Sequence, residues 1–304
     1  MTFDLRQLRA FLAIADSGSL GRAAATINLS QPALSRIIHD MEARVGAKLF
    51  ERHTKGMALT QYGEALLPYA RLLIFETGQA VEALDAVRGL RRGTARIGAV
   101  ATVARSILPA AVSRLLTAAP GLQIQLLEAA DDALATALRR REVDIAITGI
   151  LEKHDDIVPI AECQFQDRCL VFCAADHPLT AEPKVTLDQV LAENWIMPGR
   201  GARPRELFEE VLRAGNIRMP RIAVEVASPS AIAAFVAQTH LLGWLPQPLF
   251  HGREQAGKVK TLDIPELSLA RSFLIYRRRQ GLLSEPVMRL MRELPLLDAS
   301  PKAL

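Results

Sequence analysis

SQPALSRIIHDMEARV, residues 30–45, has the features of a helix with one buried and one polar face. Ser30 can cap this helix, because its hydroxyl accepts a hydrogen bond from an unpaired amide of the first turn. Pro32 is compatible with that turn, since its missing N–H would have no helical partner there. The apolar residues recur at helical spacing and predict the buried face: Leu34, Ile37, Ile38, Met41 and Val45.

The opposite face of this predicted helix has short polar side chains, one cation and one imidazole. Its residues are Gln31, Pro32, Ser35, Arg36 and His39. Such groups suit base edges and phosphates better than they suit a core. The alternative is an ordinary amphipathic helix whose polar face is only solvated. The neighbouring segments decide in favour of DNA.

Two shorter helices are predicted upstream of residues 30–45. The first ends near Ser17-Gly18, and the second begins at Ser19, which we expect to be its cap. The second helix contains three alanines, residues 23–25, that allow a close helix crossing. Two short helices joined by a tight connection, with a polar face on the last helix, are typical of a helix-turn-helix.

A two-stranded wing is predicted downstream, in KLFERHTKGMALT, residues 48–60. Two short extended runs flank the turn at Lys55-Gly56. We expect Lys48, Arg52 and Lys55 to lie beside the same duplex, where cations neutralise phosphates or enter the minor groove.

The whole of residues 6–64 resembles the winged helix-turn-helix of LysR-type transcriptional regulators, and the pieces SQPALSR and LFER are each distinctive. The resemblance implies that the polar face of the third helix enters the major groove, with Arg52 and Lys55 near the backbone or minor groove. His39 departs from the polar or basic residue that is more usual at its position. The predicted DNA-binding residues are Ser30, Gln31, Pro32, Ser35, Arg36, His39, Arg52 and Lys55.

The charge of the chain is concentrated in this segment. Of a formal net charge of +4, residues 1–93 contribute +3, from 12 Lys and Arg against 9 Asp and Glu. A basic segment fits double-stranded DNA as a partner. The chain opens with no charged region followed by an apolar one, and it has no apolar run near twenty residues. We therefore expect a cytoplasmic protein without a membrane partner.

A long linker helix is predicted to begin after Thr60. Its small and apolar residues alternate spacings of four and three, which is the heptad pattern of two helices packed along their length. The alternative is a single helix lying on its own domain. The predicted dimerisation residues are Leu66, Ala70, Leu73, Leu84 and Val87, and we expect a homodimer or homotetramer. Gly89 and Gly93 predict a hinge after this helix.

The remaining sequence alternates strands and helices, which favours parallel sheets with right-handed crossovers. Two such sets predict two lobes, which resemble the periplasmic-binding-protein fold that the LysR family carries after its linker. We expect an α/β protein overall, with an all-α winged domain at residues 1–60, a linker at 61–93 and an effector-binding domain at 94–304. The expected lobe I covers about 94–165 and 266–304, and lobe II about 166–265.

Effector-binding residues are predicted at the carboxyl ends of strands and at helix N-termini. They are Ala101, Thr102, Val103, Asp131, Gly201, Ala202, Arg203 and Ser228. Thr102 and Ser228 could instead be plain helix caps, and Arg203 could only pair with Glu206. Asp131 suits a sugar or polyol, whereas Arg203 and the helix N-termini suit an aromatic or keto acid, so the class of effector stays open.

Other classes of function are less well supported by the sequence. It contains no phosphate-binding loop, no nucleophile elbow and no histidines at metal-ligand spacing, so we expect no enzyme, no cofactor and no metal. A purely architectural DNA-binding protein is the second alternative. Cys163, Cys169 and Cys173 form no secreted-type disulfide pattern, and we expect buried thiols rather than a redox switch.

The sequence therefore predicts a regulator that binds a promoter or operator and responds to a small organic effector. The effector would favour one arrangement of the lobes, and the linker would pass that bias to the winged domains. The family resemblance implies that contact with RNA polymerase changes as a result.

Overall fold

The computed structural model describes residues 2–53, 56–87, 93–200 and 202–297. It confirms the expected α/β architecture, with a helical winged domain, a long helix and a two-lobed α/β unit. Lys55 and Gly201, which the sequence predicts as site residues, lie outside the described residues, as does the predicted hinge residue Gly89.

The winged domain consists of α1 (Leu5–Ser17), α2 (Leu20–Thr26), α3 (Gln31–Val45), β1 (Phe50–His53) and β2 (Gly56–Leu59). At the start of α1, the Asp4 carboxylate accepts the Gln7 N–H at 2.7 Å. At the start of α3, the Ser30 hydroxyl accepts the Ala33 N–H at 3.3 Å, as predicted. Ser19 was the predicted cap of α2, but its side chain makes no capping hydrogen bond. Its backbone N–H instead donates to the Ser17 hydroxyl.

The linker helix is α4 (Gln61–Val87), and the Thr60 hydroxyl caps it by accepting the Gly63 N–H at 3.2 Å. Two residues of the predicted dimer seam pack against the winged domain instead. Ala70 is completely buried in the core of that domain, and Leu66 lies against the same core. The inclusion of Ala70 in the seam is therefore wrong, because α4 holds α1 there, whereas the half-buried Leu66 stays a prediction.

Other apolar positions of α4 are exposed. Of the predicted seam, Leu73 and Leu84 have 49% and 61% of their surface exposed. Tyr62, Tyr69 and Val81 are also exposed. The side chain of Val87 lies outside the description. The exposed apolar stripe of α4 thus includes Leu73 and Leu84 of the predicted seam and, in addition, residues outside it.

The two-lobed unit is built on one mixed sheet with the strand order β4-β3-β5-β11-β6-β9-β7-β8, and β10 and β12 also pair with β6. The strands are β3 (Gly93–Ala99), β4 (Leu122–Glu128), β5 (Ile145–Thr148), β6 (Ile157–Ala174), β7 (Asn194–Met197), β8 (Arg221–Glu225), β9 (Leu242–Pro246), β10 (Val259–Leu262), β11 (Leu269–Arg278) and β12 (Leu296–Leu297). Parallel strands β3, β4 and β5 belong to the first lobe, and parallel strands β7, β8 and β9 to the second.

The helices that cover the sheet alternate with its strands, as the sequence predicts. They are α5 (Ala101–Arg105), α6 (Ile107–Ala118), α7 (Asp131–Arg139), α8 (Leu187–Ala192), α9 (Arg203–Ala214), α10 (Pro229–Val236), α11 (His251–Gln255) and α12 (Glu285–Glu293). In the second lobe the buried indoles of Trp195 and Trp244 donate to the carbonyls of Val190 and Leu267. Buried aromatic rings with satisfied N–H groups give this lobe a rigid core.

A substitution at Gly63 can test how closely α4 packs against the winged domain. A Cβ at this position would collide with the backbone carbonyl oxygen of Leu49. We expect Gly63→Ala to lower the free energy of unfolding by about 1–3 kcal/mol, because backbone cannot move aside cheaply. Gly78→Ala is the control, since nothing lies within 4 Å of its Cβ position in the same helix.

Gly78→Ala should be neutral or should stabilise the protein by up to about 1 kcal/mol. Urea denaturation followed by circular dichroism measures both variants. An equal response of the two would contradict the close approach at Gly63.

Candidate DNA-binding surface and effector cleft

Helix α3 presents a polar surface outside the core of the winged domain. Leu34, Ile38 and Met41 point into the core, with at most 5% of their surface exposed. The polar residues on the other face are exposed, except Ser35, which is half-buried: Ser30, Gln31, Pro32, Ser35, Arg36 and His39. Within the described part of the chain, the side chains of Arg36 and His39 form no hydrogen bond or ion pair, so both are available to a ligand.

The wing is attached to the turn between α1 and α2. Met57 donates its N–H to the Gly18 carbonyl at 2.9 Å, and a Cβ at Gly56 would collide with the same oxygen. The strands pair antiparallel, with His53 opposite Gly56. Arg52 is exposed on this ribbon. The wing therefore holds Arg52 in a fixed position relative to the helices.

Sequence reasoning missed the residue that connects α3 to the wing. The Glu42 carboxylate is nearly buried and accepts the backbone N–H groups of Leu49 and Phe50, the first at 3.0 Å. Its other oxygen accepts from Lys48 at 2.7 Å. Lys48, expected beside the duplex, is thus paired within the domain. A carboxylate on the polar side of α3 gave no signal in the sequence that it would be buried.

The residues of the first lobe that the sequence predicts as effector contacts differ in their burial. Val103 is completely buried in the core of that lobe, so its side chain is not available to an effector, and only its backbone amide, in the first turn of α5, could contact one. Thr102 is also buried, and its hydroxyl accepts from the Arg271 guanidinium at 3.2 Å. Ala101 begins helix α5 and is half-buried.

Arg271 and Asp167 form a buried ion pair beside Thr102. They stand directly opposite each other on β11 and β6, the Asp167 side chain is completely buried, and Arg271 Nε donates to its carboxylate at 2.8 Å. Burial alone would lower the pKa of Arg271, but the hydrogen bond to Asp167 raises it above its ordinary value. Sequence reasoning missed both residues because 104 positions separate them.

Asp131 and Arg203, predicted from opposite lobes, line the same cavity of about 340 Å³. Asp131 begins α7 and accepts a hydrogen bond from the Thr148 hydroxyl. Arg203 begins α9, with Ala202 as the residue before it, and donates to Glu210 at 2.7 Å. We call this cavity the effector cleft. Its other charged or ionisable residues are Asp132, Glu152, His154 and Glu206.

Ser228 belongs to the end of a helix and not to the lining of the effector cleft. Its hydroxyl accepts the Ala231 N–H at 3.5 Å and lies 2.9 Å from the Ser230 hydroxyl. It caps α10, which is the alternative that the sequence left open. The cap is observed, and a contact of Ser228 with an effector stays a prediction.

The three cysteines are free and buried. Burial raises the pKa of the Cys163 thiol to about 11, and the pKa values of Cys169 and Cys173 to about 12. All three are protonated near neutral pH, and a thiol reacts as its thiolate. The expectation that the three thiols are buried is confirmed.

Comparisons with known proteins agree with this architecture. Residues 5–64 match the bacterial regulatory helix-turn-helix protein, lysR family, and residues 88–295 match the LysR substrate binding domain. The chain belongs to the LysR family. It therefore combines a DNA-binding helix-turn-helix with an effector-binding domain, as LysR-family transcriptional regulators do.

Individual relatives align with most of the length of this chain. The uncharacterized HTH-type transcriptional regulator YeiE of Escherichia coli is 31% identical over 293 residues, which cover 96% of this chain and 97% of that protein. The HTH-type transcriptional regulator GbpR of Rhizobium radiobacter is 30% identical over 248 residues, 81% of this chain and 82% of that protein.

Solved structures share the fold of this LysR-family chain. A full-length OxyR variant from Pseudomonas aeruginosa has a TM-score of 0.71 at 23% identity and covers 99% of this chain and 100% of its own. Full-length CbnR complexed with its target DNA has a TM-score of 0.66 at 20% identity, and the match covers 96% of this chain and 99% of that chain.

Among the described residues, none of the helices has the length and the apolar composition of a membrane span. In the same residues, no cluster of three or more His, Cys, Asp or Glu could hold a metal ion.

Substitutions at Arg36 on α3 and Arg52 on the wing can distinguish contacts with bases from contacts with phosphates. We expect Arg36→Ala to weaken binding to a selected operator by about 1–3 kcal/mol and to random DNA by much less. Arg52→Ala should weaken both alike and reduce the salt dependence, since it removes a phosphate contact.

Fluorescence anisotropy with a duplex enriched from a random library, against a scrambled duplex, measures both effects at several salt concentrations. Equal losses of specificity in the two variants would contradict the assignment of α3 as the reading helix.

Proposed function

We propose that this regulator responds to an uncharged, hydroxyl-rich effector, such as a sugar or polyol, bound in the effector cleft between Asp131 and Arg203. The observation that carries the proposal is the charge of the cleft. Four carboxylates line it, from Asp131, Asp132, Glu152 and Glu206, against one guanidinium, from Arg203. An anionic effector would be repelled by this lining, whereas hydroxyl groups can donate to it.

The cations near the cleft are already paired, which further disfavours an aromatic or keto acid. Arg203 donates to Glu210 at 2.7 Å and lies 3.7 Å from Glu206. Arg271 has its carboxylate partner in Asp167. A carboxylate ligand would compete with Glu206 and Glu210 for Arg203, or would have to break the buried pair of Arg271 with Asp167, which is costly. A hydroxyl-rich ligand leaves both pairs intact.

The effector would act through the relative position of the lobes. Asp131 belongs to the first lobe and Arg203 to the second, so a ligand that contacts both favours one arrangement of the two. The long helix would pass that bias to the winged domains and thereby alter DNA bending at the promoter and contact with RNA polymerase. The protein thus acts by binding and not by catalysis, and its DNA target places it in the cytoplasm.

The exposed stripe of α4 supports pairing of two chains. Exposed large apolar side chains cluster on one helix, Tyr62, Tyr69, Leu73, Val81 and Leu84. A contiguous apolar surface of this kind marks an interaction site. Two copies related by a two-fold axis would bring two α3 helices to one operator. A homodimer, or a homotetramer made from two such pairs, follows.

Isothermal titration calorimetry on the full-length protein tests the class of effector. We expect monosaccharides and polyols to bind, and we expect Arg203→Gln to leave any heat of binding from benzoate or 2-oxoglutarate unchanged, because neither anion should occupy this cleft. Asp131→Asn should weaken the sugar by about 1–2 kcal/mol, because a charged acceptor forms the stronger hydrogen bond. Asp188→Asn is the control, since Asp188 lies in the first turn of another helix, α8, outside the cleft.

Binding of carboxylates alone, abolished by Arg203→Gln and retained in Arg213→Gln, would contradict the proposed class. Absence of binding by either class, in a protein that still regulates, would favour the architectural alternative.

Leu73→Asp tests the pairing of α4. A charge in the stripe should dissociate the dimer, because burial of a carboxylate without a partner is costly. Leu5→Asp is the control, since Leu5 is 41% exposed at the start of α1, away from the stripe. Light scattering and sedimentation measure the assembly, and circular dichroism checks the fold. An unchanged assembly in Leu73→Asp would rule out this stripe as the interface.

A further inference from the structure

A second cavity, of about 600 Å³, lies where the winged domain, the long helix and the first lobe meet. We call it the junction cavity. Four guanidinium groups line it, from Arg71, Arg96, Arg140 and Arg141, against two carboxylates, from Asp16 and Glu142. The cavity therefore has an excess of positive charge, in contrast to the effector cleft.

Two of the four cations have partners within the lining. Arg71 donates to Asp16 at 2.7 Å, and Arg140 lies 4.0 Å from Glu142. The side chain of Arg96 forms no hydrogen bond or ion pair with any described residue. The carboxylates of the lining are thus used by Arg71 and Arg140, and Arg96 keeps its full donor capacity.

Arg141 is the more unusual group of the junction cavity. Its backbone has φ +61°, a left-handed conformation that is uncommon for residues other than glycine. Its side chain is only 10% exposed, yet it donates no hydrogen bond within the described part of the chain. The nearest carboxylate oxygen, Glu76 Oε1, is 3.8 Å away and also has no hydrogen-bond partner there. A buried guanidinium without acceptors is costly, so an acceptor brought by a ligand would stabilise it.

A second buried arginine adds to the positive charge at this point. Arg141 and Arg278 pack against the ring of Phe75, with their guanidinium carbons 5.3 and 5.0 Å from its centre. Burial and then the charge of Arg141 lower the pKa of Arg278 to about 10. An anion bound beside Arg141 would relieve this repulsion.

We propose that the junction cavity binds an organic anion. Its carboxylate or phosphate oxygens accept hydrogen bonds from Arg96 and Arg141, and its apolar body packs against Ile74 and Phe75, which form part of the lining. The anion would contact Leu12 of the winged domain, the long helix and the first lobe together. Its binding would hold the three parts in one arrangement, as an input separate from the effector in the cleft.

Titration of the full-length protein with phenyl phosphate, benzoate and inorganic phosphate tests this proposal, with ionic strength held constant by sodium chloride. We expect saturable binding of phenyl phosphate or benzoate, tighter than that of inorganic phosphate because of the apolar wall. The better of the two organic anions identifies the headgroup. Arg96→Gln and Arg141→Gln should each raise its Kd about tenfold or more.

Arg139→Gln is the matched control. It removes the same charge from the same run of arginines, but Arg139 pairs with Asp156 at 3.1 Å and does not line the cavity. Its Kd should equal that of the wild type. Arg96 is the safer of the two test positions if Arg141→Gln fails to fold, which circular dichroism will show.

Three results would overturn the proposal. One is the absence of saturable binding of both organic anions to the wild type. Another is an equal loss in Arg139→Gln, which would show a general effect of charge. The third is a loss in Arg203→Gln with full binding in Arg96→Gln, which would place the anion in the effector cleft.

Discussion

The antiparallel pairing of β6 with β11 is the contact on which the two lobes depend, because it joins the first-lobe strands to those of the second lobe in one sheet. Its register is set by the buried pair of Asp167 and Arg271, which stand opposite each other. A slip by one residue would leave a buried carboxylate unpaired, at a cost of several kcal/mol. The same arginine reaches Thr102 of the first lobe. A movement of one lobe relative to the other would therefore change the contacts of this pair.

The long helix α4 serves three partners with three faces. Ala70 is buried in the winged domain, Phe75 packs against two arginines of the first lobe, and Leu73 is exposed. A helix is suited to this because its side chains point in fixed directions around a stiff axis. A shift of the first lobe relative to α4 would thus move the winged domain and change the surface offered to the partner chain.

Prediction from the sequence worked where local patterns decide the structure. Ser30, Pro32 and the apolar spacing of α3 act within a few residues, so the helix and its exposed face could be predicted. The prediction of the dimer seam on α4 was only partly correct. A heptad pattern does not show which partner covers the apolar residues, and here the winged domain buries Ala70 and packs against Leu66. The ion pair of Asp167 and Arg271 depends on strand register over 104 positions, which no local pattern contains.

The contact between α4 and the first lobe combines favourable and unfavourable contributions of similar size. Cation–π contacts of Phe75 with Arg141 and Arg278 are worth about 0.5–2 kcal/mol each. Against them stand buried polar atoms of Glu76 and Arg141 without hydrogen bonds, each costing about 1–3 kcal/mol. Typical coupling free energies between sites are about 1–3 kcal/mol, which is comparable to any one of these contributions. An interface whose opposing contributions are so nearly equal can be shifted by one bound ligand, whereas the apolar cores on either side cannot.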